Sequence, residues 1–139
     1  MKEPRWIDQR ALLLLHSTSL AEHGGLEGVR DEGLLESALN RARNKFTYKV
    51  GFDIFDLAAA YGFGLARNPP FHDGNKRTSF LAVGLFLAIN GYRLVADQMD
   101  AIQTILSLAA GQLTEKLFAD WIRAHAMRND SSAASKPDL

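Results

Sequence analysis

The fold turns on one continuous stretch. Asn68-Pro69-Pro70-Phe71-His72-Asp73-Gly74-Asn75-Lys76-Arg77-Thr78 runs without a break into Ser79-Phe80-Leu81-Ala82-Val83-Gly84-Leu85-Phe86-Leu87-Ala88-Ile89. The second half is apolar or small at almost every position. A helix apolar all round is buried all round, so 78–89 is predicted to be the central helix, stopped by Asn90-Gly91. The first half then stands at that helix's amino end, where free N–H groups and the dipole favour an anion. Gly74 permits a tight bend and close approach of a phosphate to backbone amides. Asn75 can add a neutral donor or a metal-directed oxygen. Lys76 and Arg77 supply charge, and a guanidinium grips phosphate oxygens bidentately. Cations in a first turn oppose the helix dipole unless an anion offsets them. Asp73 would repel a bare phosphate but fits if it holds a magnesium ion bridging the phosphates. The alternative at this point is an ordinary Asp-Gly-Asn turn followed by a solvated cationic turn.

Outward from this stretch the periodicity stays helical. Ile7, Ala11, Leu14 and Leu15 mark a first helix ended by Gly24-Gly25. Asp31 can cap a second, with Leu34, Leu35, Ala38, Leu39 and Ala42 on one face. Residues 44–52 break the pattern and are expected to form a small extended flap. Leu57, Tyr61, Gly64 and Leu65 mark a third helix, stopped by Asn68 and the two prolines. Asp97 can cap a fifth carrying Met99, Ile102, Ile105, Leu106 and Ala109. Thr114 can cap a sixth carrying Leu117, Phe118, Trp121 and Ile122. The class is all-α: about six helices around a buried central one, in a single domain over 1–128. The serine- and charge-rich residues 129–139 are expected to be a disordered tail.

Composition agrees with that outline. A chain of 139 residues, 47% apolar and 23% charged, is an ordinary one-domain globule. No apolar run reaches membrane-spanning length, and no signal peptide is expected. Zero formal net charge gives no general attraction to nucleic acid, and the lack of cysteine removes thiolate and disulfide chemistry. A cytoplasmic protein is expected. The segment Arg41-Ala42-Arg43-Asn44-Lys45-Phe46-Thr47-Tyr48-Lys49 reads as a basic aromatic patch or a solvated loop. His16 and His23 lack the partners of a metal site, so structural or surface roles are expected.

Residues 69–77 resemble the active-site loop of the Fic/Doc family, which runs His-Pro-Phe-any-(Asp/Glu)-Gly-Asn-(Gly/Lys)-Arg. Pro70, Phe71, Asp73, Gly74, Asn75, Lys76 and Arg77 match it. Gly24-Gly25, Gly28-Val29-Arg30-Asp31, Leu34-Leu35-Glu36-Ser37-Ala38 and Asn90-Gly91-Tyr92 extend the likeness toward the death-on-curing (Doc) branch. Lys76 between Asn75 and Arg77, and Phe80 where nucleotidyl-transferring members carry a second arginine, point the same way. The resemblance implies a helical bundle and a toxin of a toxin–antitoxin pair. It implies a kinase moving the γ-phosphate of ATP to a threonine of a translation factor, elongation factor Tu in known cases. By the same resemblance Asp73 is the magnesium-linked acid, Gly74 to Arg77 form the nucleotide-phosphate cradle, and Phe71 anchors the loop. The flap at 44–52 would help align the target, and the partner would be an antitoxin whose disordered C-terminal segment folds on binding. The other readings are AMP transfer of the Fic type, and a catalytically dead module binding antitoxin or nucleotide.

One position departs. The family's general base is a histidine at the place of Pro69, and proline cannot take a proton. Loss of a positioned base costs on the order of 10²–10⁴-fold, so this chain is expected to be inactive, Pro69 being either an engineered or selected inactivating substitution or the mark of a naturally degenerate member. His72 is expected to be a surface residue rather than a substitute base.

Overall fold

The computed structural model describes residues 1–48 and 50–129. In chain order these form α1 (Gln9–His23), α2 (Glu32–Tyr48), α3 (Ile54–Arg67), α4 (Asn75–Ile89), β1 (Tyr92–Leu94), α5 (Gln98–Ala109), α6 (Glu115–His125) and β2 (Ala126–Arg128). The fold is mostly helical, as expected. Its only sheet among the described residues is β1 paired antiparallel with β2, Tyr92 opposite Arg128. Asn129 donates its N–H to the Gly91 carbonyl, and the remainder of the expected tail lies outside the described residues.

The centre is α3, not α4. Leu57, Ala58, Ala59, Ala60, Tyr61 and Gly62 are buried in succession, as are Gly64, Leu65 and Ala66. Small residues explain why. A side chain at Gly62 would lie 2.7 Å from Phe118 of α6 and 2.8 Å from Val83 of α4, and one at Gly64 would lie 3.3 Å from Ala38 of α2. Neighbouring helices can therefore pack closely round this rod. α4 buries Thr78, Ser79, Ala82, Val83, Phe86 and Leu87, while Phe80, Leu81 and Leu85 are half-buried and Ala88 is exposed. Its apolar composition exceeds its burial because one flank walls an open groove. The Ser79 hydroxyl donates to the Gly62 carbonyl (2.7 Å), and the Tyr61 hydroxyl accepts from the Ile7 amide (3.1 Å).

Two apolar faces are also displaced from expectation. On α1 the buried residues are Leu12, His16, Ser19 and Leu20, with Leu14 exposed. The run Leu12–Leu15 offers apolar side chains in every phase, so it cannot select one. On α5, Ala101, Thr104, Ile105 and Leu108 face inward, whereas Met99, Ile102 and Leu106 are exposed.

Residues 44–48 complete α2 instead of forming the expected extended flap, and among the described residues 50–52 there is no strand. Tertiary contacts override the extended preference of Thr47 and Tyr48. The basic segment is largely engaged. Arg41 and Lys45 both bind the Glu115 carboxylate, and Arg41, Arg43 and Lys45 sit over Phe63, Trp6 and Phe52. Burial acts to raise the Glu115 carboxyl, but hydrogen bonds from Arg41 and Lys45 override it and hold the group below its ordinary range. Lys49 lies outside the described residues.

Candidate functional site

The loop between α3 and α4 is built by three anchors. Phe71 is buried, and Asn75 clasps its backbone: the Asn75 carbonyl oxygen accepts from Phe71 N–H (2.9 Å), and its amide donates to the Phe71 carbonyl (3.0 Å). The side chain of Asn75 is therefore engaged in shaping the loop.

The second anchor is the segment joining α1 to α2. Arg30 and Asp31 N–H groups both donate to the Pro70 carbonyl (2.7 and 3.1 Å), and His72 N–H donates to the Gly28 carbonyl (3.2 Å). Val29 and Phe71 form an antiparallel bridge between these donors. The Arg30 guanidinium donates to the Pro69 carbonyl. Leu26 N–H donates to Asp73 Oδ2 (2.7 Å), and among the described residues Oδ1 has no hydrogen-bond partner. Gly25 makes this approach possible: at φ +129° a Cβ there would lie 2.8 Å from Leu20 and 3.2 Å from Asp73 Cβ. The third anchor is His16 of α1, whose Nε2 is 2.8 Å from the Asp73 carbonyl oxygen.

What this framework presents is an open helix end. Five helices begin beneath a capping side chain: Asp8 for α1, Asp31 for α2, Asp53 for α3, Asp97 for α5 and Thr114 for α6. α4 begins at Gly74 in the left-handed conformation (φ 78°, ψ 14°), with no side-chain cap and no acid in its first turn. Its first helical hydrogen bond is Thr78 N–H to the Gly74 carbonyl (2.9 Å). Among the described residues, the N–H groups of Asn75, Lys76 and Arg77 have no acceptor. Lys76 and Arg77 are exposed, and among the described residues neither has a carboxylate within ion-pair distance. The first turn of α4 thus combines N–H donors, the helix dipole and two exposed cations, an arrangement suited to an anion.

Asp73 is exposed beside this turn. Among the described residues no group of three or more histidines or carboxylates is placed to hold a metal ion. A carboxylate beside an anion-suited helix end is the kind of ligand magnesium takes, since that ion retains most of its waters.

The structure thus brings Asp73, Gly74, Asn75, Lys76 and Arg77 together and puts Pro69 at the near edge of the loop. His72 is exposed, its ring 3.5 Å from where a side chain on Gly28 would begin. Sequence reasoning overlooked Arg30 and His16 as loop supports. The available signal was the cluster Gly24, Gly25 and Gly28, all at positive φ, with Gly25 at the close approach to Asp73.

A groove of about 610 Å³ opens beside Lys76 and Arg77, walled by Phe80 and Leu81 of α4, Ile102 and Ile105 of α5, and Ser19 of α1.

Comparison with known proteins places these observations. The model of the family described as Fic/DOC matches residues 6–87. Over 119 residues the chain is 32% identical to "Protein kinase doc" of Escherichia phage P1, covering 86% of this chain and 94% of that protein. Over 88 residues it is 46% identical to "Toxin Doc" of Mycolicibacterium smegmatis, covering 60% of this chain and 65% of that protein.

Proposed function

Because the chain belongs to the Fic/DOC family, we propose that the open end of α4 binds the triphosphate of Mg·ATP and that the protein is a Doc-type toxin. Its activity is transfer of the γ-phosphate to a threonine of a translation factor, elongation factor Tu by family likeness. The observation that carries this reading is the contrast among helix ends: among the described residues five are capped by the chain's own side chains, while α4 is left uncapped beside two cations without a carboxylate partner. Names borne by two relatives, a protein kinase and a toxin, support the choice within the family.

The residues divide the work. Backbone N–H groups of the first turn and the side chains of Lys76 and Arg77 hold phosphate oxygens and offset charge as it shifts in transfer. Asp73 Oδ1 would hold magnesium, which when bound neutralises phosphate charge. Asn75 and Phe71 keep the loop in shape. Pro69 stands where the attacking hydroxyl needs a proton acceptor and supplies none, so turnover is arrested while the cradle persists. That combination also favours a second reading, a nucleotide- or antitoxin-binding module without turnover. Phe80 at the place of the second arginine speaks against AMP transfer.

The groove between α1, α4 and α5 offers a surface for an antitoxin segment that folds on binding. A segment lying there would also border Lys76 and Arg77.

The test is to restore histidine at position 69, add ATP, magnesium and a bacterial lysate, and weigh the modified protein. A gain of one phosphate on a translation factor supports the kinase. A nucleotidyl gain would replace it with AMP transfer. No modification and no growth arrest would leave the binding module.

A further inference from the structure

One buried polar group in the loop framework has no part in the chemistry above. His16 is 5% exposed on the inner face of α1, a position that ordinarily takes an aliphatic residue. Its ring lies flat against Phe71, centroids 3.7 Å apart and planes 8° from parallel. Its Nε2 is 2.8 Å from the Asp73 carbonyl oxygen, and since a carbonyl only accepts, Nε2 carries the hydrogen and donates.

That bond controls more than one atom. No cis peptide occurs among the described residues. In a trans peptide the C=O and the following N–H point in opposite directions within one plane. Holding the Asp73 carbonyl therefore sets the direction of the Gly74 N–H. The next residue is glycine at φ 78°, which by itself tolerates many orientations of that plane. His16 Nε2 and Cδ2 also lie 3.6 Å from the point where a Gly74 side chain would begin, so the ring closes one side of the turn.

We propose that His16 is a positioning residue: it locks the Asp73–Gly74 peptide and the Phe71 ring, and so keeps the first-turn donors of α4 arranged for a triphosphate. This rests on reading the α4 end as a triphosphate cradle. His16 acts through Asp73 and Phe71 and need not touch the nucleotide.

Two substitutions separate the bond from the bulk. His16→Gln keeps an N–H donor at similar reach, whereas His16→Leu fills the space without one. The Gly74 and Asn75 amide resonances of nucleotide-free protein report the loop, and titration calorimetry with Mg·ATP reports the cradle. His16→Leu is expected to retain its helix content, displace or broaden those resonances, and bind Mg·ATP about tenfold more weakly. His16→Gln is expected to stay within about threefold of the parent. Parent-like spectra and affinity in His16→Leu would overturn the proposal, as would equal impairment in both variants. If His16→Leu does not fold, His16→Phe, which retains a flat ring for Phe71, replaces it with the same readouts. A parent chain that does not bind Mg·ATP would sink the triphosphate reading. The nucleotide-free spectra would then judge the His16 anchor alone: displacement in His16→Leu with recovery in His16→Gln upholds it, and no displacement refutes it.

Discussion

The amino ends of α3 and α4 solve the same electrostatic problem in opposite ways. At α3 the chain closes the end with its own acids. Asp53 accepts from the N–H groups of Phe55 and Asp56, and the Asp56 carboxylate accepts from Asp53 N–H. Arg123 from α6 then binds Asp53 through Nε and Nη2, each at 2.9 Å. Burial acts to raise the Asp53 carboxyl, but hydrogen bonds from Arg123 and Asp56 bring it down to about 2. At α4 the chain supplies a glycine and two cations, leaving donors and dipole unanswered. The first arrangement stabilises the fold. The second leaves the helix end available to an anion, as the proposed function requires.

The largest effect should come from position 69, where on the proposed function proline replaces the proton acceptor. Pro69→His is expected to raise phosphoryl transfer by about 10²–10⁴-fold, measured as label moved from γ-labelled ATP to protein. Next is Arg77→Ala. It should weaken Mg·ATP binding about 10–100-fold by calorimetry, the loss of one charged phosphate contact, while the melting temperature barely moves.

Asp53→Ala should do the reverse: a loss of roughly 1 kcal/mol of stability, read by chemical denaturation, with Mg·ATP affinity unchanged. If either substitution alters both properties, the division between a structural and a functional helix end fails. The smallest effect concerns acid. The Asp53 carboxyl is lowered from 3.8 to about 2 in the folded chain, so its contribution is fully present above pH 4. It is lost as pH falls through about 2. An Asp53→Asn variant should lack that part of the acid-induced destabilisation.

Much of this was legible before the structure. Helix caps at Asp31, Asp97 and Thr114 were readable because a short polar side chain before an apolar period has few other uses. The turn at Gly74 leading into α4 was readable from Asp73-Gly74-Asn75, while its holding phosphate is a proposal, motivated by Lys76 and Arg77 opposing the dipole. The central helix was misassigned because composition reports which side chains tolerate burial, whereas α3 wins its place through Ala and Gly residues that admit close neighbours. The flap was misread because Thr47 and Tyr48 favour extension locally but remain helical once α2 docks, its Arg41 and Lys45 held on Glu115. His16 was underestimated for a related reason: its partner is a main-chain carbonyl 57 residues away, and no local pattern encodes such a contact.

The central claim is that the uncapped end of α4 receives the triphosphate. Its most direct test is a Mg·ATP titration followed through backbone amide resonances. The account predicts saturable shifts at Gly74, Asn75, Lys76 and Arg77 with little movement at Phe55 and Asp56 on the capped end of α3. Unmoved resonances at Gly74 to Arg77 under saturating nucleotide would contradict it.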